Sequence, residues 1–259
     1  MKILVLGDVV SGFGVSAVEK TLPKLKNDKN IDFCIVNGEN SADGNGIHAK
    51  SAERLFAVGA DVITTGNHVY RRPEFYQYLD ENEYVIRPAN FPDTAPGKGI
   101  CIYDMGRVKI AVINIMGVVY MEALDNPFFT LDKMIDKAKA ENCKIIFVDF
   151  HAEATSEKKA MGYYADGRVS ALFGTHTHTQ TNDLQIFEGG TGYITDLGMC
   201  GPKHSVLGIK PELAIAKQKT HLPLRFENAE GECLINGAVF EVDENTGKCL
   251  NVELINLTV

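Results

Sequence analysis

Short apolar runs at residues 2–7, 31–37, 61–65, 109–115, 144–150, 168–173 and 191–196 punctuate this chain, and stretches of helical periodicity separate most of them. This alternation constrains the fold more than any other feature. Strand, crossover helix and next strand generate right-handed βαβ units and a largely parallel sheet. Helices are expected over 15–26, 49–58, 73–82, 131–142 and 154–164; Leu131, Met134, Ile135 and Ala138 follow the i, i+3, i+4, i+7 spacing of a buried helical face. The final third changes character. Residues 212–220 and 238–257 are β-rich, and Glu244-Asn245-Thr246-Gly247-Lys248 suits a hairpin turn, so antiparallel strands closing a second sheet are expected. The proline-bearing span 87–99 reads as ordered loop, and 117–129, with few charges, as a lid or a subunit contact.

With 259 residues, 45% apolar and 23% charged, the chain can bury one substantial core, and a single domain over 1–259 is expected. The apolar run after Met1-Lys2 is short and leads into Asp8, which fits a buried first strand and not a signal peptide. No apolar run approaches the ~20 residues that span a bilayer, so no membrane partner is expected. Six cysteines (34, 101, 143, 200, 233 and 249) are scattered without a Cys-x-x-Cys pair; they read as buried hydrophobes in a reducing, cytoplasmic setting. A formal charge of −8 disfavours non-specific binding to long nucleic acid but leaves room for a small phosphate ester.

The apolar runs end in a consistent chemistry. The first leads into Gly7-Asp8, the second into Gly38-Glu39-Asn40, the third into Gly66-Asn67-His68, the fifth into His151 and the sixth into Gly174-Thr175-His176-Thr177-His178. In an open α/β sheet, ligands bind beyond the carboxyl ends of strands, so Asp8, Glu39, Asn40, Asn67, His68, His151, His176 and His178 are expected to meet in one crevice. In extended backbone, residues two apart share a face, which would aim the imidazoles of His176 and His178 at the same side. Carboxylate, amide oxygen and imidazole together suit manganese, iron, zinc or nickel. Eight donors exceed what one four-coordinate ion needs and suit two metals about 3.5–4 Å apart. Each residue alone has an ordinary reading: Asp8 as a cap, Gly38-Glu39-Asn40 and Gly66-Asn67 as turns, His151 as a core histidine. His48, His204 and His221 lack partners and read as surface residues. A dinucleotide fingerprint and a Gly-x-Ser-x-Gly elbow are both absent.

Gly-Asp near the start, Gly-Asn-His after the third run, a lone later histidine and Gly-x-His-x-His resemble the calcineurin-like metallophosphoesterases. Two departures stand out: Asp8-Val9-Val10 lacks the histidine of the usual Asp-x-His, and Gly38-Glu39 replaces Gly-Asp. Both fit a narrower resemblance. The segments 150–158, 166–169, 174–181 and 195–199 are similar to the bacterial branch of 2′,3′-cyclic-nucleotide 2′-phosphodiesterases. That resemblance implies an α/β fold, a four-layer α/β/β/α sandwich with two central mixed sheets flanked by helices. It implies two divalent or mixed-valence metal ions, iron or manganese foremost, with zinc, nickel and magnesium left open. One metal would take Asp8, Glu39, Asn40 and His178; the other would share Glu39 and take Asn67, His151 and His176, with His68 as proton donor. The implied substrate is a small phosphodiester or nucleotide, with a phosphomonoester, a phosphoprotein, an RNA link, a metal-dependent regulatory role and a homo-oligomer left as alternatives.

Overall fold

The computed structural model describes residues 1–259. Its elements run β1 Lys2–Leu6, β2 Asp8–Val9, α1 Ser11–Lys29, β3 Phe33–Asn37, α2 Ala49–Ala57, β4 Val62–Thr64, a 3-10 turn Pro73–Phe75 leading into α3 Tyr76–Glu81, β5 Val85–Ile86, β6 Ile100–Asp104 and β7 Lys109–Met116. They continue with α4 Pro127–Ala140, β8 Ile145–His151, α5 Thr155–Ala165, β9 Ala171–Thr175, β10 Gln185–Ile186, β11 Gly192–Ile194, β12 Met199–Pro202, α6 Pro211–Thr220, β13 Cys233–Val242 and β14 Cys249–Thr258.

Two mixed sheets result. In the first, β1, β3, β4 and β5 are parallel neighbours; β13 runs antiparallel to β1 and carries β14 on its far edge, and β12 joins β13 to β2. The second has the order β10-β11-β9-β8-β7-β6, with β7, β8, β9 and β11 parallel.

The layering follows from the two-residue period of a strand. Ile3 and Val5 of β1 face Phe147, Phe173 and Phe240 in a core between the sheets, where Phe147 and Phe240 pack edge to face at 5.8 Å. Leu4 and Leu6 turn the other way, onto Val15, Val18 and Leu22 of α1 and Leu55 of α2. On β8, Ile146, Val148 and Phe150 meet Leu131 and Ile135 of α4 and Met161 of α5. Both faces of each central strand are therefore buried, which makes the α/β/β/α sandwich; each such side chain contributes about 1.5–3 kcal/mol. All six cysteines are buried and free, and no helix is long and apolar enough to cross a membrane.

Two expectations for the final third need correction. Residues 212–220 form a helix, α6, not a strand; none of its side chains is buried, so the run Leu213-Ala214-Ile215-Ala216 carries no amphipathic signature. The 244–248 turn does join two antiparallel strands, with Asp243 Oδ1 accepting from the N–H groups of Asn245 and Thr246. That hairpin, however, completes the first sheet beside β1, and the second sheet is built from the middle of the chain. The span 117–129 is tethered and not a free lid: Val118 and Val119 N–H donate to Glu157, the Asn90 amide donates to the carbonyls of Met116 and Asp125, and 127–129 open α4.

Candidate metal centre

All eight residues singled out in the sequence lie at carboxyl ends of strands and converge. Asp8 follows β1, Glu39 and Asn40 follow β3, Asn67 and His68 follow β4, His151 ends β8, and His176 and His178 follow β9. Asp8, Glu39 and His151 are fully buried.

Hydrogen bonds fix which atom of each ring is free. The Thr175 hydroxyl donates to Asp149 Oδ1 at 2.7 Å, so its oxygen accepts from His151 Nδ1 at 2.8 Å and leaves His151 Nε2 without a proton. His176 Nε2 lies 3.2 Å from Glu153 Oε2, and its Nδ1 points into the cluster. That nitrogen lies 3.1 Å from His151 Nε2, and the latter is also 3.0 Å from Asn67 Oδ1 and 3.4 Å from Glu39 Oε1. Three electron-pair donors, His151 Nε2, Asn67 Oδ1 and Glu39 Oε1, thus face one another, with His176 Nδ1 beside them. On the other side, His178 Nδ1 donates to the Leu207 carbonyl at 3.2 Å, and its Nε2 accepts from the Asn40 amide Nδ2 at 3.3 Å and lies 3.7 Å from Asp8 Oδ1.

Asp8 Oδ1 and Glu39 Oε2 are buried and have no hydrogen-bond partner at all. Burial pushes both carboxyls up to about 7, and burial together with neighbouring positive groups holds His176 down to about 2 and His151 near 4. A buried carboxylate without a partner is costly unless a cation meets it. No group of three His, Cys, Asp or Glu side chains defines a metal position by itself; the need for positive charge arises from these unpaired oxygens and bare nitrogens. Oxygen and imidazole donors without thiolate fit divalent cations of intermediate hardness. Gly66 leaves the space open: a Cβ there would come within 2.2 Å of both Glu39 Oε2 and His151 Nε2.

His68 sits at the edge of the cluster. Its backbone N–H donates to Glu39 Oε1 at 3.0 Å and its Nδ1 lies 3.0 Å from Asn40 Oδ1. Burial lowers its pKa, while the Glu39 carboxylate pulls the other way. With Nδ1 held, Nε2 is the nitrogen left for a ligand in the cavity of about 310 Å³ that His68, His176 and His178 line.

The two histidines of the Gly-x-His-x-His segment do not share a strand face as expected. They lie in the turn after β9, with left-handed φ of 98° at His176 and 59° at His178. Such backbone costs about 1–3 kcal/mol at each non-glycine position and persists only where the surroundings impose it. Here Asp196 imposes it. Its carboxylate accepts from Thr177 N–H and Oγ1 at 3.1 and 2.8 Å and from Gly198 N–H at 2.9 Å, and Lys158 Nζ donates to it at 2.6 Å and to the Thr175 carbonyl at 2.7 Å. Beneath the centre, Asp149 accepts from Asn37, Thr64 and Thr175, and Asn37 Oδ1 accepts from Glu39 N–H. The sequence assigned none of these supports a role, although Asn37, Asp149 and Asp196 are polar residues inside the apolar runs 31–37, 144–150 and 191–196. Of the histidines left aside, His204 and His221 are exposed, and His48 caps α2 by accepting from Ser51 N–H.

Two mixed sheets packed between helices, with these donors at the strand ends, give the α/β/β/α sandwich expected from the sequence. The chain belongs to the YmdB-like family, whose model matches residues 4–255. It is 46% identical over 255 residues to the 2′,3′-cyclic-nucleotide 2′-phosphodiesterase of Bacillus subtilis (strain 168), covering 98% of this chain and 96% of that protein. A crystal structure of a novel phosphatase from Mycoplasma pneumoniae is similar with a TM-score of 0.94 at 35% identity, covering 100% of this chain and 93% of the other. A 5′-nucleotidase precursor from Thermus thermophilus shares the fold, with a TM-score of 0.63 at 10% identity over 99% of this chain and 54% of its own.

Proposed function

We propose that this chain is a two-metal phosphodiesterase that opens 2′,3′-cyclic nucleotides to 3′-nucleotides. The observation that carries the reading is the pair of buried, unpartnered carboxylate oxygens, Asp8 Oδ1 and Glu39 Oε2, beside the Nε2 atoms of His151 and His178, whose Nδ1 atoms donate to Thr175 and Leu207. Asp8, Glu39, Asn40 and His178 would hold one cation; Asn67, His151 and His176 would hold the other, with Glu39 common to both. When bound, two divalent cations activate water and neutralise phosphoryl oxygens, which removes the need for a side-chain nucleophile. With Nδ1–H donating to Asn40 Oδ1, His68 would give the departing 2′ oxygen its proton from Nε2 as the imidazolium, the form that the neighbouring Glu39 carboxylate favours. The specific substrate is supported by the activity for which the Bacillus subtilis relative is named. Phosphomonoesterase activity on the same centre is the second reading, favoured by the likeness to the Mycoplasma pneumoniae phosphatase.

The test is a substrate panel run after reconstitution with iron, manganese or zinc: 2′,3′-cyclic AMP, 3′,5′-cyclic AMP and 3′-AMP, with Glu39→Gln as blank. The 2′,3′-cyclic diester should be turned over fastest, and 3′-AMP should accumulate. Preferential release of inorganic phosphate from 3′-AMP would move the assignment to the monoesterase.

A further inference from the structure

The cavity of about 310 Å³ above the donor cluster has two unlike sides. Asn40, His68, His176 and His178 form the polar side; Val10, Leu207, Ile209 and Phe226 face them. Phe226 is 47% exposed and Leu207 50%, so large apolar groups stand open to solvent at the mouth of a site that otherwise gathers charge. The wall is firmly built. Ile209 bridges Asn228, Ala229 N–H donates to the Gly208 carbonyl at 2.9 Å and Lys210 N–H to the Glu227 carbonyl at 3.0 Å. The Leu207 carbonyl accepts from His178, which couples the wall to a residue of the donor cluster. The opposite rim, 43–45, is clamped by Arg72, which donates to the carbonyls of Asp43 and Asn45 at 2.5 and 3.0 Å.

We infer that this wall is a nucleobase subsite in which Phe226 stacks on the base of a mononucleotide whose phosphate lies at the donor cluster. The inference rests on the phosphodiesterase reading and names the half of the substrate that the reacting centre does not touch. An exposed aromatic ring beside a phosphoryl site suits a base, because every base presents a π-face, whereas a phosphoserine or phosphothreonine side chain or a sugar phosphate has none to offer. The length of the ligand follows from the next cavity, about 490 Å³, which shares Gly44, Ile209, Phe226 and Asn228 with the first. It sets Asp43 and Glu227 against a single Arg225. That lining does not favour a second phosphate, so a mononucleotide is preferred over a longer strand.

Two diesters that differ only in the base separate stacking from phosphoryl chemistry: adenosine 2′,3′-cyclic phosphate and ribose 2,3-cyclic phosphate. In metal-loaded Phe226→Ala, kcat/KM for the nucleotide relative to the base-free diester should fall about tenfold, through KM, and Phe226→Trp should restore it. A ratio equal to that of the wild type overturns the subsite. Should the wild type hydrolyse neither diester, the phosphodiesterase reading fails, and calorimetric binding of adenosine 3′-monophosphate against ribose 3-phosphate decides the subsite alone. A roughly tenfold weaker nucleotide affinity in Phe226→Ala supports stacking, and unchanged affinity rejects it.

Discussion

His68 and Gly66 act on the same centre in opposite ways, one by what it supplies and the other by what it omits. His68 touches the cluster through Asn40 and Glu39 and is not among the proposed cation ligands. His68→Ala should lower kcat by about 10²–10⁴ while bound metal, measured by elemental analysis, stays at the wild-type stoichiometry. Loss of metal in that variant would make His68 a ligand. Gly66→Ala inserts a methyl group at 2.2 Å from Glu39 Oε2 and His151 Nε2. Metal content should fall sharply there even though the circular dichroism spectrum is retained, because the clash lies with side chains at the cluster and not in the core.

At the scale of elements, the turn after β9 depends on α5. Lys158 is 1% exposed, and its ammonium group ties α5 to Asp196 and to the end of β9. Lys158→Met leaves a buried carboxylate uncompensated, which costs about 3–5 kcal/mol and should lower Tm by roughly 10 °C. Lys158→Met/Asp196→Asn should recover part of that loss in the same thermal melts; strictly additive losses would show that the two groups act separately. Asp183 gives the pH dependence. Burial opposes its charge, but donors on Thr195 and Thr181, with Lys159, outweigh it and hold the pKa down to about 2 against an ordinary 3.8. Its folded pKa lies below the unfolded one, so its stabilisation is complete above about pH 4 and is lost as pH falls toward 2. Chemical denaturation of Asp183→Asn should show a shallower loss of stability across that window than the wild type.

The strand-end donors were legible because each follows an apolar run whose direction is fixed by a βαβ path; residue type and position were enough. Their division into two sets came only through the family resemblance. Their supports were not legible. Lys158 and Asp196 lie 38 residues apart and Asn37 and Asp149 112 apart, and nothing local to either partner announces the other. Helix α6 was misread for a related reason: four consecutive apolar residues fit a buried strand as well as a helix that buries nothing, and only the surrounding fold chooses.

For the whole molecule, metal and stability are linked. Asp8 and Glu39 are enclosed by both sheets, so a cation that binds only the folded chain adds RT ln(1 + [L]/Kd), about 2.7 kcal/mol at a hundredfold excess over Kd. Chelation should lower Tm and re-addition of manganese or iron should restore it; Glu39→Gln should show neither shift. A Tm indifferent to chelator would separate the cluster from cation binding.

The antiparallel seam between β1 and β13 has a consequence for timing. Residues 237–241 pair with 2–6, and Gly7 N–H donates to the Asn236 carbonyl, so the strand that delivers Asp8 is seated by one made after every proposed ligand. When His178 has left the ribosome, every proposed ligand has been translated, yet β1 still has an open edge. A nascent chain halted between His178 and β13 should therefore carry every proposed ligand without the strand that seats Asp8.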